Sequence, residues 1–187
     1  MKNAIIIHGT CDKDEYFSDK YPSLSNSHWL PWLQKQLLIK NIFTQTPEMP
    51  DAYEPNYEKW CHEFEKFDIN EETILIGHSC GGGFLIRWMS ENSIKINKLI
   101  LVAPWLDPKK ERTTDFFNFE IDSNLKDKVG EIHLLISNDD DEDILDSVNI
   151  INSKISNISN HEFTNHGHFT YSHMKTNEFP ELLNIII

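Results

Sequence analysis

Thr73-Ile74-Leu75-Ile76-Gly77-His78-Ser79-Cys80-Gly81-Gly82-Gly83 is the stretch on which the fold turns. Its apolar, β-branched start predicts a buried strand, and Phe84-Leu85-Ile86-Arg87-Trp88-Met89 beyond it predicts a helix. Between the two stands Gly-x-Ser-x-Gly. A serine in a sharp, strained strand-to-helix turn projects its hydroxyl past the sheet edge. Side chains two residues to either side would strike neighbouring backbone, which accounts for Gly77 and Gly81. The chain has seven glycines, and six of them cluster in three loops: four here, Gly9 in His8-Gly9-Thr10, and Gly167 in His166-Gly167-His168. Those three loops are the candidate site.

Outward from the elbow, strands are expected at 4–7, 42–45, 73–76, 98–103, 132–137 and 161–163. Helices are expected at 28–40, 53–67, 84–92, 144–155 and 177–187, with Pro31 tolerated in a first turn. Residues 11–27 are polar and charged and predict a long loop. Strands that alternate with helices specify an α/β fold: a mostly parallel sheet of about six strands with helices on both faces and right-handed crossovers. Functional groups then gather beyond the carboxyl ends of the strands. His8, Ser79, Pro104-Trp105, Asp139-Asp140 and His168 all fall on that edge.

At 187 residues, with 39% hydrophobic and 25% charged, the chain suits a single soluble domain, 1–187. A net charge of −13 argues against nucleic acid and against anionic membrane surfaces as partners. No apolar run has the length of a membrane span, and the N-terminal run is too short for a signal-peptide core. Cys11, Cys61 and Cys80 form no disulfide framework, so a cytoplasmic location is expected.

A neutral serine is a weak nucleophile and needs a base, which in turn needs an orienting acid. Ser79, then the acidic run 139–143, then late histidines is the chain order of α/β-hydrolases. His161, His166, His168 and His173 are the candidate bases. His168 is preferred because it follows Gly167 directly after the last strand, with His166 as competitor. The oxyanion of a tetrahedral intermediate needs main-chain donors, expected from the N–H groups of Cys80 and Thr10. Trp105, His28 and Trp29 are expected to line the substrate pocket.

His8-Gly9, Asn26-x-His28-Trp29-x-Pro31-Trp32-Leu33, Met49-Pro50, Gly77-His78-Ser79, Ser137-x-Asp139-Asp140 and Gly167-His168-Phe169 span nearly the whole chain. Together they resemble the small serine hydrolases of the type of retinoblastoma-binding protein 9 and the bacterial YdeN proteins. The resemblance implies a compact α/β-hydrolase fold without a large lid. It also implies a catalytic triad of Ser79, Asp140 and His168, so that Asp139 and Asp141 are left to act by charge alone. The charged loop 11–27 departs from the family pattern.

The expected activity is therefore that of a serine hydrolase, a carboxylesterase that works through an acyl-enzyme on a small-molecule ester. It calls for no cofactor. The alternative is a binding or regulatory module that keeps the fold and has little turnover. A metal site drawn from His166, His168, His173 and the acidic run has no strong zinc spacing and no calcium-loop alternation, so no metal is expected.

Overall fold

A computed structural model of the chain describes residues 2–112 and 114–187. Six strands form one sheet: β1 (Asn3–Ile7), β2 (Phe43–Gln45), β3 (Thr73–His78), β4 (Ile96–Val102), β5 (Val129–Ser137) and β6 (Ile158–Phe163). Their order is β2-β1-β3-β4-β5-β6, and every pairing is parallel. The helices are α1 (Lys13–Tyr16), α2 (Leu30–Ile39), α3 (Tyr57–Phe64), α4 (Cys80–Glu91), α5 (Glu142–Lys154), α6 (Tyr171–Met174) and α7 (Pro180–Ile186).

Alternation along β1 shows how the layers assemble. Ile5 and Ile7 point to one face, where Trp60 and Phe64 of α3 and Phe84 and Trp88 of α4 meet them. Ala4 and Ile6 point to the other, against Leu30, Leu33 and Leu37 of α2 and Leu182 and Ile186 of α7. All six residues of β3 are buried, as a central strand covered on both faces requires.

From β1 the chain runs outward to β2, then returns on the other side of β1 as β3. The loops after β1 and β3 therefore open away from each other at the strand ends, which leaves the crevice where α/β sheets bind ligands. Thr10 and Ser79 flank it.

Boundaries differ from expectation where local chemistry overrides pattern. Helix α2 starts two residues late because His28 takes φ 57° and cannot be helical. Helix α3 covers only Tyr57–Phe64, capped by the Asn56 side chain, which accepts from the Lys59 N–H at 3.0 Å. The loop expected at 11–27 contains α1 and a 3-10 turn at Leu24–Asn26, whose Leu24 and Ser25 N–H groups donate to the Glu48 carboxylate.

Candidate active site

The elbow is built by close approach of backbone. Ser79 has φ 54° and ψ −122°, a conformation that costs a non-glycine residue about 1–3 kcal/mol. Its N–H donates to the Val102 carbonyl at 3.0 Å, and its carbonyl accepts from Gly82 and from Trp105. A Cβ on Gly77 would lie 2.6 Å from the Gly82 backbone, and one on Gly81 would lie 2.5 Å from the His8 carbonyl oxygen. Only glycine allows α4 to start this close to β1 and β3.

Helix α4 begins at Cys80, the residue after the serine. Among the described residues, neither the Cys80 N–H nor the Thr10 N–H donates to a protein acceptor. Burial pushes the Cys80 thiol up from its ordinary value, so it stays protonated beside Ser79 and does not compete as a nucleophile.

Thr10 is set by His8, which the sequence placed on the functional edge without a role. His8 is buried, its Nδ1 lies 2.7 Å from the Gly9 carbonyl oxygen, and its Nε2 lies 2.8 Å from the Met49 N–H. A carbonyl only accepts and an amide only donates, so the proton sits on Nδ1. The planar Gly9–Thr10 peptide then holds the Thr10 N–H opposite the pinned carbonyl. Burial lowers the pKa of His8, which keeps it neutral.

Across the cleft, His168 Nδ1 lies 3.1 Å from both carboxylate oxygens of Asp140. The Asp140 side chain is 1% exposed and that of His168 20%. His166 is held elsewhere: its Nδ1 bonds the Thr164 carbonyl at 2.9 Å and its ring packs on Phe163. His173 supports the loop from behind, accepting the His168 N–H on Nδ1 at 2.8 Å. His161 bonds His133 on the neighbouring strand. Ser79 and His168 thus line one cleft, Asp140 is bonded to His168 behind that lining, and the other three histidines lie outside it. Ser79 Oγ and His168 make no hydrogen bond here; such bonds tighten when substrate is bound.

Two side chains given no such role by the sequence hold the His168 loop. His78, the variable residue of the elbow, is buried and hydrogen-bonded from Nε2 to the His168 carbonyl at 2.8 Å. Burial first, then the neighbouring His168, holds its pKa well below the ordinary histidine value. Asp139 accepts from the Ser137 hydroxyl and, at 3.2 Å, from the Gly167 N–H. These bonds, the Ser137 hydroxyl above all, hold its carboxyl below the ordinary range.

The cleft has a volume of about 710 Å³ and is lined by Thr10, Ser79, Trp105, Arg112 and His168 among others. Trp105 lines this cleft beside Ser79. Trp29 does not: it is fully buried in the core, edge-on to His78 and Phe179. An indole that begins α2 and meets the apolar face of the sheet is drawn inward by its area. His28 also misses the cleft wall; its Nδ1 accepts the Tyr171 N–H at 3.2 Å behind His168. Among the described residues no group of three or more His, Cys, Asp or Glu side chains is arranged to hold a metal ion. None of the helices among them is long and apolar enough to cross a membrane.

Comparison with known proteins adds a family. Residues 20–177 match the family model described as serine hydrolase. The chain is 28% identical over 106 residues to YdeN of Bacillus subtilis (strain 168), an alignment that takes in 54% of this chain and 50% of YdeN. It thus spans about half the length of that relative. The crystal structure of the ydeN gene product of B. subtilis superimposes with a TM-score of 0.80 at 22% identity, covering 100% of this chain and 97% of that one. Est1E from Butyrivibrio proteoclasticus superimposes with a TM-score of 0.66 at 15% identity, covering 99% and 85%. At these identities the two structures speak for the fold, the α/β-hydrolase fold.

Proposed function

Since this chain belongs to the serine hydrolase family, we propose that it is a carboxylesterase acting through Ser79, His168 and Asp140 and an acyl-enzyme intermediate. The observation that carries this reading is the Asp140 carboxylate, 1% exposed and 3.1 Å from Nδ1 of His168, which lines the cleft together with the strained Ser79.

In the proposed reaction Ser79 Oγ attacks the ester carbonyl and His168 Nε2 takes the hydroxyl proton. Asp140 holds the proton on Nδ1, which leaves Nε2 as the free base. The Thr10 and Cys80 N–H groups receive the developing oxyanion, and the start of α4 adds its dipole. Collapse breaks the ester C–O bond, and His168 returns its proton to the departing alcohol. Water then attacks the acyl-serine by the same route in reverse and releases the acid. The substrate in this reading is a small-molecule ester, residues 1–187 form one hydrolase domain, and the three free cysteines suit a cytoplasmic location.

The test is a panel of p-nitrophenyl esters of rising acyl length, with a serine-reactive phosphonate to trap the nucleophile. Turnover of some ester, labelling of Ser79, and loss of both in Ser79→Ala with the thermal melt unchanged are expected. A wild-type chain that neither labels nor turns over any ester is instead a binding module with this fold.

A further inference from the structure

The cleft is lined by the carboxylates of Glu111, Asp141, Glu142 and Asp143 and by two cations, Lys109 and Arg112, whose situations differ. Lys109 is neutralised by Asp143 and lies 3.5 Å from Glu142. Arg112 has no carboxylate within salt-bridge distance of its guanidinium among the described residues. Its Nη1 donates to the Tyr53 carbonyl at 3.1 Å, and its guanidinium carbon lies 5.4 Å from the centre of the Trp105 ring. The main chain beneath is fixed by a buried carboxylate: Asp107 accepts from the Glu111 N–H at 2.8 Å and from the Arg112 N–H at 2.9 Å. Arg112 is thus a positioned cation with free donors, half-buried on an indole that is itself hydrogen-bonded to Ser79 through its backbone. A guanidinium presents a planar fork that matches a carboxylate with two parallel hydrogen bonds.

We propose that Arg112 selects esters bearing a free carboxylate, so that the preferred substrates are half-esters of small dicarboxylic acids. The proposal rests on the esterase reading of Ser79. Its second support is the rest of the lining, where the carboxylates of Glu111, Asp141, Glu142 and Asp143 repel an anion and Lys109 is already paired. A carboxylate can settle only at the Arg112 end, which fixes the direction in which the ester lies across the nucleophile.

The experiment compares monoethyl glutarate with ethyl valerate, matched in length, by ethanol release. Wild type is expected to prefer the half-ester in kcat/KM by about tenfold or more, the scale of one desolvated charge-assisted pair. Arg112→Gln should remove that preference mainly through KM. Arg112→Lys, which keeps the charge and loses the fork, should retain part of it and serves if the glutamine variant does not fold. A wild type without preference, or an Arg112→Gln variant that loses activity with the ratio of the two esters unchanged, overturns the assignment and leaves the esterase reading standing. No turnover of either ester, or of the p-nitrophenyl panel, by folded wild type overturns both.

Discussion

Ser79 and His168 face the same cleft and are held there by different means. Ser79 is held by main chain: its N–H and carbonyl are bonded to Val102, Gly82 and Trp105, and glycines bring β1, β3 and α4 into contact around it. His168 is held by side chains: Asp140 on its ring, His78 on its carbonyl, His173 on its N–H, and Asp139 on the residue before it. One side is a packing arrangement that cannot change without disturbing the sheet. The other is a set of hydrogen bonds hung on loops, each replaceable on its own. Substitutions that add bulk to the packed backbone around the serine should therefore cost stability along with activity, and substitutions near the histidine should cost activity alone.

The largest expected effect tests the histidine side. Asp140→Asn keeps the shape of the acid but donates where it should accept, which favours the wrong tautomer of His168. The equivalent change costs about four orders of magnitude in trypsin. Here kcat/KM should fall on that scale while the thermal melt moves by no more than a few degrees. A variant that melts far lower would show that the base side is packing-held after all.

Gly81→Ala probes the other side. The new Cβ would strike the carbonyl oxygens of Ile7 and His8, which belong to the sheet and its first loop and cannot swing aside. Overpacking of this kind costs about 1–3 kcal/mol, or more where only backbone can give. Denaturant melts should show that loss, with activity lost in proportion as the elbow shifts. A fully stable Gly81→Ala chain would undercut the contrast between the two sides.

This contrast also explains what was legible in the sequence. Gly77, Ser79 and Gly81 could be read because a backbone collision admits one residue type, so the constraint is written in the residues themselves. The strands were legible for a similar reason: β3 is buried on both faces, so its middle, Ile74-Leu75-Ile76, is a continuous apolar run. The roles of His8, His78 and Asp139 were not legible. Each makes a bond to main chain in a distant loop, and a polar residue beside a motif carries no mark of what it will touch. Trp29 misled for the opposite reason: its place among motif residues at the edge suggested a pocket, and burial of its area decided otherwise. His28 fell beside it with φ 57°, a backbone state that no periodicity signals.

Asp139 gives a smaller and sharper test. On charge alone, Asp139 and Asp141 would be equivalent neighbours of Asp140. Asp139, however, bonds Ser137 and Gly167, whereas Asp141 begins α5 without a side-chain cap bond. Asp139→Asn should lower kcat/KM by roughly ten- to thirtyfold through a looser His168 loop, about 1.4–2 kcal/mol of barrier, and Asp141→Asn by less. Equal effects at the two positions would return Asp139 to a purely electrostatic role.

The smallest expected effect falls where the two sides meet. His78 belongs to the elbow and reaches the base loop, and it is kept neutral by burial, as is His8 under the loop after β1. Unfolding releases both rings to water, where a histidine titrates near 6.5. Below that pH the unfolded chain binds protons that the folded chain refuses, so the stability these groups contribute is present at higher pH and is lost as pH falls through 6.5. Between pH 7 and 6 the loss is about 0.7 kcal/mol for each histidine that stays neutral in the fold. For a chain of this size that lowers the melting temperature by a few degrees, before any carboxylate begins to titrate. His78→Phe removes one of these titrations and should flatten the slope. It also removes the donor to the His168 carbonyl, so activity should drop at every pH while the melt becomes less sensitive to acid. A slope unchanged in His78→Phe would mean that His78 is protonated in the fold. The bond that joins the nucleophile's side to the base's side would then carry a charge.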